Sequence, residues 1–421
     1  MVLTQSTAPE NKASEAPRLS LQYEKIAKDT HTLRSLDWDR SRFDIEFGLR
    51  NGTTYNSFLI RGKKTALLDT SHLKFKDIWF EKLKKEINPL DIDFLVVHHT
   101  EPDHSGLIKY LIDLNPNIEI VGSKVAIKFL EDQIHQTFNS RAVKSGDELN
   151  LEMNSISGTE HKLEFISAPN LHWPDTIFSF DHGTKVLYTC DAFGLHYCSD
   201  KLFDEEPNLL SEDFRFYYDC LMGPNARSVI QAIKKIDKLP NIETIAIGHG
   251  PILNFNTQLW LNNYRDWSQK RNKGENYAVV CYLSQYGFCD RLSQSIAHGV
   301  SKANAQVQLV DLIASDKQEL SALISEASAV VVPTWPIEAD SELQSNIGTL
   351  LASLKQKQWV ATYDSYGGNE EPIDFIINQL RKLGQKEAFK PLRVHKEPNN
   401  NIYQQFEEAG TDLGQILTRK K

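Results

Sequence analysis

The stretch Phe94–Gly106, FLVVHHTEPDHSG, decides how this chain is read. A run of apolar residues ends abruptly in His98, His99, Glu101, Asp103 and His104, side chains that are costly to take out of water. Such a cluster at the end of a buried strand either binds something that neutralises it or belongs to a polar loop. If the backbone stays extended, His99, Glu101 and Asp103 alternate onto one side with His104 beside them. Two imidazoles and two carboxylates then converge on one point, which is a metal site in outline.

Further donors follow downstream, each at the end of a strand-like run: His172 in NLHWPDT, Asp191 in YTCDAFG and His249 in AIGHGP. A lone histidine is more often structural than functional, but this set together reads as a metal site. His98 and the scattered His31, His72, His135, His161, His182, His196, His298 and His395 read as structural or surface residues. Imidazoles and carboxylates without thiolate suit iron or manganese as well as zinc, and the donors are too many for one tetrahedral zinc. Two metals bridged by a carboxylate, most naturally Asp191, is the economical arrangement.

Working outward, the first twenty or so residues are rich in Ser, Ala, Pro and Glu, and residues 1–30 read as a flexible tail. Short apolar strands and a helix-like KFKDIWFEKLKKEI then suggest a two-sheet core flanked by helices over residues 31–272. The polar stretch YRDWSQKRNKGEN breaks the pattern. Beyond it strands such as YAVVCYLS and SAVVVPTW alternate with helices such as DRLSQSIAHGVSKA, which predicts a doubly wound parallel sheet over 273–421. The formal net charge of −9 argues against a nucleic-acid partner. No apolar run is long enough to cross a bilayer and the N-terminus lacks the pattern of a secretory signal, so the expectation is a cytoplasmic protein. The 5 cysteines include no C-x-x-C pair, which speaks against a disulfide framework or a cysteine-rich metal site.

In the second half, YLSQYGFCDRLSQSIA joins a strand to a helix, and such a turn offers backbone N–H groups to a phosphate. PTWPIEAD and DSYGGNEE, after later strands, stand where loops flank a flavin ring at the carboxyl edge of a flavodoxin-like sheet.

H-x-E-x-D-H resembles the metallo-β-lactamase motif H-x-H-x-D-H with Glu101 in place of the second His, the mark of the flavodiiron proteins, or A-type flavoproteins. LHWPDT, CDAFG and GHGPI match that family's remaining ligand segments in order. The resemblance implies a metallo-β-lactamase-like αββα sandwich followed by a flavodoxin-like sheet. It implies one iron held by His99, Glu101 and His172, another by Asp103, His104 and His249, and Asp191 between them; in some relatives the residue matching His104 is not bound. It also implies FMN, held by Ser284, Gln285, Tyr286, Gly287 and Phe288, by Pro333, Thr334 and Trp335, and by Ser365, Tyr366, Gly367 and Gly368.

Two departures stand out. Relatives usually have Asn-Thr where this chain has Phe288 and Cys289, which removes a hydroxyl ligand to the phosphate. Many also have a His where this chain has Asp44. The wording WDRSRFDIEFGLRNGTTYNSFLI resembles members from oxygenic phototrophs, which usually continue into a flavin reductase module; ending at Lys421 is what a short form or a trimmed chain would do. The implied activity is reduction of O2 to water, or of NO to N2O, with electrons passing from FMN to the diiron site. Tyr217 or Tyr218, in FRFYYDCLMGP, could donate a hydrogen bond there or simply pack as an aromatic pair. The implied partners are an external electron donor (flavin reductase module, NAD(P)H-linked reductase or ferredoxin) and a second chain, in a head-to-tail homodimer or a related hetero-oligomer. The rival readings are a zinc hydrolase of β-lactamase fold with a flavodoxin-like binding module, and a metal-free regulatory subunit.

Overall fold

The structure, a computed structural model, describes residues 18–43, 47–272, 276–283, 288–313, 315–335, 341–364, 373–394 and 398–419. Strands before residue 273 build two large sheets. The first, of 7 strands, runs in chain order from Leu19–Ala27 through Thr30–Asp37, Thr53–Arg61, Thr65–Leu68, Phe94–Val97 and Glu119–Gly122 to Asn139–Ala142. Its early pairs are antiparallel, and pairing turns parallel from Thr65–Leu68 onward. The second, of 5 strands, runs from Glu148–Met153 through Glu160–Ser167, Ile177–Asp181 and Val186–Cys190 to Thr244–Ile247, with only the last pair parallel.

Phe58, Ile60, Leu68 and Val96 from the first sheet meet Leu163, Phe165, Tyr188 and Ala246 from the second in one buried cluster. Helices cover the outer faces: Trp79 and Leu83 of Lys76–Glu86 on the first sheet, and Val229 and Ile233 of Ala226–Ile236 on the second. This is the expected αββα sandwich.

The third sheet begins at Tyr277 and is parallel throughout. Its order is Gln306–Asp311, Tyr277–Tyr282, Ala329–Pro333, Trp359–Tyr363, Lys386–Glu387, so the chain steps outward in both directions from its first strand. That is the flavodoxin-like order. Among the described residues no helix is long and apolar enough to cross a membrane.

The expectation of a tail through residue 30 needs correction, because Leu19–Ala27 is an edge strand paired with Thr30–Asp37. Its Leu19, Leu21 and Tyr23 alternate onto the cluster that contains Trp79, which gives the segment enough apolar contact to be held.

Candidate metal centre

The strand Phe94–Val97 is buried along its whole length and carries the chain to the carboxyl rim of the first sheet. There the extended reading fails. The strand stops at Val97, and Pro102 opens a short helix, Pro102–Ser105, that holds Asp103 and His104. Proline suits the first helical position, where no N–H is needed. His99 and Glu101 therefore precede the helix while Asp103 and His104 ride on it, and the four still converge. Asp191 directly follows Val186–Cys190, and His249 lies two residues beyond the parallel neighbour Thr244–Ile247. His172 comes from the loop before Ile177–Asp181.

The two oxygens of Asp191 face different partners. Oδ1 lies 2.8 Å from His104 Nε2 and 3.2 Å from His249 Nε2, while Oδ2 lies 3.0 Å from His172 Nε2 and 3.6 Å from His99 Nε2. Glu101 Oε2 sits 3.2 Å from His99 Nε2 and 3.0 Å from His172 Nε2. On the other side Asp103 stands 3.6 Å from His104 Nε2 and 3.4 Å from His249 Nε2. Ligand atoms of His99, Glu101, His172 and Asp191 all lie within 4.8 Å of one another, as do those of Asp103, His104 and His249.

The donor set fits metal. Neither carboxylate oxygen of Asp103 or Asp191 receives a hydrogen bond from the protein, although both residues are buried. Nitrogens at 2.8–3.6 Å that form no hydrogen bond to Asp191 aim past its oxygens, as ligands around a common centre do. The charges agree. Burial alone would push the Asp191 and Glu101 carboxyls up, but the surrounding imidazoles outweigh it and hold both well below the usual range. Burial would pull His172 and His99 down, yet their carboxylates outweigh it, raising His172 to about 9 and His99 well above its usual value. Carboxylates and imidazoles thus hold one another in their charged forms, and a metal cation would take the place of the protons on the rings.

Groups behind the ligands fix which ring nitrogen faces inward. Asp175, fully buried, takes the His99 Nδ1–H at 3.1 Å and is itself held by Thr100 N at 2.7 Å and Thr100 Oγ1 at 2.6 Å. His249 Nδ1 donates to the Thr54 carbonyl at 2.6 Å. Both rings are left with Nε2 toward the centre. Gly248 permits the close approach of His104, since a Cβ there would meet His104 Cε1 at 2.8 Å and the Cys190 carbonyl carbon at 3.1 Å. His98, expected to be structural, is so: it bridges Asp69 and Ser179.

The two tyrosines separate. Tyr218 is committed to Ser268 Oγ at 2.8 Å and does not serve the site, so that half of the expectation is withdrawn. Tyr217, the last residue before the π-helical turn Tyr218–Met222, packs against His196 and His249, and its hydroxyl has no protein partner. Burial and then the charge of Asp191 push its phenol well above the usual range, so it remains a donor. His196, expected to be a structural or surface residue, is buried and packed against His249. Burial, then His249, push its imidazole well below the usual range. A cleft of ≈ 330 Å³, lined by His196, Leu49, Arg50, Glu212, Arg215 and Phe216 among others, reaches it from the surface. Sequence reading also passed over Asp175, Thr53 and Thr54. Asp175 had a signal, a carboxylate three residues after His172 and two before the strand Ile177–Asp181.

Of the flavin expectations, Ser284, Gln285, Tyr286, Gly287, Ser365, Tyr366, Gly367 and Gly368 lie outside the described residues, as do Asp44 and His395. Pro333 ends the central strand of the third sheet, Thr334 N donates to the Tyr363 carbonyl at 2.9 Å, and Trp335 packs on the core below. Phe288 caps the helix Cys289–Lys302. Cys289 is buried; its Sγ accepts from Leu283 N at 3.1 Å and faces the Tyr363 hydroxyl at 3.2 Å.

A β-lactamase-type sandwich with a histidine–carboxylate cage, joined to a flavodoxin-type sheet, defines an oxidoreductase core of flavodiiron type. Residues 53–250 match the model of the ODP family beta lactamase. The chain is 51% identical over 405 residues to a putative diflavin flavoprotein A 3 of Nostoc sp. (strain PCC 7120), covering 96% of this chain and 70% of that protein. It is also 51% identical over 400 residues to diflavin flavoprotein A 1 of Synechocystis sp. (strain PCC 6803), covering 95% and 69%. Among solved structures it is similar to the metal-soaked Flv1 flavodiiron core from Synechocystis sp. PCC6803, with 31% identity, a TM-score of 0.66, and coverage of 95% of this chain and 99% of that one. The chain belongs to the flavodiiron proteins, within the diflavin flavoprotein A group of cyanobacteria. That membership makes it an oxidoreductase and sets aside the hydrolase reading.

Proposed function

We propose that this chain reduces O2 to water, with two irons held by His99, Glu101 and His172 and by Asp103, His104 and His249, Asp191 shared between them, and FMN at the carboxyl edge of the third sheet. The observation that carries the reading is the division of Asp191, one oxygen 2.8 Å from His104 Nε2 and the other 3.0 Å from His172 Nε2. One tetrahedral zinc would leave part of this set without a role. Bound together, iron and flavin supply what side chains lack, one-electron transfer and the storage of electrons close to the substrate.

The chain's own residues hold and shield that chemistry. Asp175 and the Thr54 carbonyl orient His99 and His249, Tyr217 stays protonated as a donor, and Trp173, whose ring lies 5.0 Å from that of His99, helps to keep water from the cage. FMN is assigned to Ser284–Phe288, Pro333–Trp335 and Ser365–Gly368. Electrons would come from an external donor (a flavin reductase module, an NAD(P)H-linked reductase or a ferredoxin). A head-to-tail pair of chains, a homodimer or a related hetero-oligomer, would set the FMN of one against the cage of the other.

Anaerobically reconstituted protein should hold two irons and one FMN per chain and, once reduced, consume O2 faster than NO. Uptake of one zinc in preference to iron when both are offered would refute the site. Turnover of NO, with formation of N2O, but not of O2 would refute the substrate.

A further inference from the structure

Two buried polar atoms beside the cage have no partner in the protein, His196 Nε2 and the Tyr217 hydroxyl. Their rings pack 4.9 Å apart, and they lie 4.9 Å and 6.2 Å from the ring of His249. His196 is set from behind by Thr53, whose Oγ1 lies 2.8 Å from Nδ1 but 3.4 Å from its other acceptor, the Thr54 carbonyl. That carbonyl also accepts from His249 Nδ1 at 2.6 Å, the shorter of its two contacts. The shorter contact is the one in which the Thr53 hydroxyl would donate to His196 Nδ1, and in that tautomer of the neutral ring the proton sits on Nε2. Buried N–H groups are nearly always paired in folded chains, so an Nε2–H here is available to a group that arrives from outside. The cleft that ends at His196 starts among residues as exposed as Phe216 and supplies a route.

Resting on the two-metal reading above, we propose that His196 is a positioning residue: its Nε2–H, with the Tyr217 hydroxyl, donates to the outer atom of a small ligand that enters by the cleft and binds at the cage. Thr53 acts one step further back by fixing the tautomer. The pair would favour ligands whose outer atom carries negative charge, since hydrogen bonds to charged groups are the stronger ones.

Azide tests this without turnover. In iron-reconstituted protein, His196→Leu should weaken azide binding about tenfold, the worth of one hydrogen bond to a charged acceptor, and shift the azide antisymmetric stretch. His196→Gln, which returns an N–H to that region, should recover most of the affinity and the wild-type stretch. Thr53→Val leaves the ring in place but removes the donor to Nδ1, and it should move the stretch in the same direction as His196→Leu. Iron content is measured on every sample. Full iron with azide affinity and stretch unchanged in both His196→Leu and Thr53→Val would overturn the proposal while leaving the two-metal reading intact. A wild-type chain that takes up fewer than two irons would overturn that reading first and this inference with it.

Discussion

Replacing Asp175 by Asn tests whether the cage depends on the groups behind it. Asp175 accepts from Thr100 N at 2.7 Å, Thr100 Oγ1 at 2.6 Å and His99 Nδ1 at 3.1 Å. An asparagine keeps the first two by turning its carbonyl toward Thr100, which leaves its NH2 facing His99 Nδ1. Two donors cannot share that contact, so His99 must turn Nδ1 into an acceptor and move its proton to Nε2, the nitrogen that faces Glu101 and Asp191. A protonated Nε2 cannot ligate. Loss of such an outer-shell partner typically costs 10–100-fold in metal affinity, or about 1.4–2.7 kcal/mol. The loss should fall on the set of His99, Glu101 and His172 and spare that of Asp103, His104 and His249, where His249 keeps its Thr54 carbonyl. Anaerobic iron titration against a competing chelator would resolve the two sites. Both sites staying within about twofold of wild type would show that the His99 tautomer is not set by Asp175.

Gly248→Ala would place a Cβ 2.8 Å from His104 Cε1, with the Cys190 backbone at 3.1 Å blocking retreat, so it should loosen the Asp103, His104 and His249 set and lower bound iron toward one per chain by metal analysis. Away from the cage, burial would lower His161, but Asp181 at 2.8 Å and Asp29 at 3.6 Å outweigh it and leave its pKa raised. A raised pKa means stability fully present below the ordinary histidine value of about 6.5 and lost as pH rises through the folded value. The stability difference between wild type and His161→Gln in urea unfolding should therefore shrink from pH 6 to higher pH, and a difference independent of pH would refute the ion pair.

How much could be read in advance depends on how local each cause is. The strand and helix periods of the second half are properties of neighbouring residues, and YAVVCYLS appears as Tyr277–Tyr282, while DRLSQSIAHGVSKA forms the helix Cys289–Lys302 up to its C-cap Ala303. Leu19–Ala27 was overlooked because the Ser, Ala, Pro and Glu before it masked the alternation of Leu19, Leu21 and Tyr23, which acquires meaning only against a helix beginning at Lys76. The seven cage residues were legible because costly side chains recur at strand ends. His196 was not, because Thr53, which sets its ring, lies 143 residues away in the chain. Asp175, 76 residues from His99, belongs with it.

Asp191 shows where sequence pattern stops and geometry takes over. Its strand pairs in parallel with Thr244–Ile247, but the register shifts between Tyr188 and Cys190, so Tyr188 stands opposite Ala246 and Cys190 opposite Ile247. The extra residue, Thr189, makes a bulge, and Cys190 follows with a left-handed φ of 50°. Bulges next to active sites re-aim a side chain, because each inserted residue breaks the two-residue alternation of faces. Gly248 N donates to the Cys190 carbonyl at 2.6 Å and locks the two strand ends together just where Asp191 and His249 leave them. The motif CDAFG names an aspartate after a strand; the bulge and this hydrogen bond are what allow its two oxygens to look in two directions. A carboxylate shared between two donor sets is therefore a consequence of strand pairing, and deleting Thr189, which removes the extra residue, should uncouple the two sets even with every cage residue in place, read as fewer than two irons per chain by metal analysis.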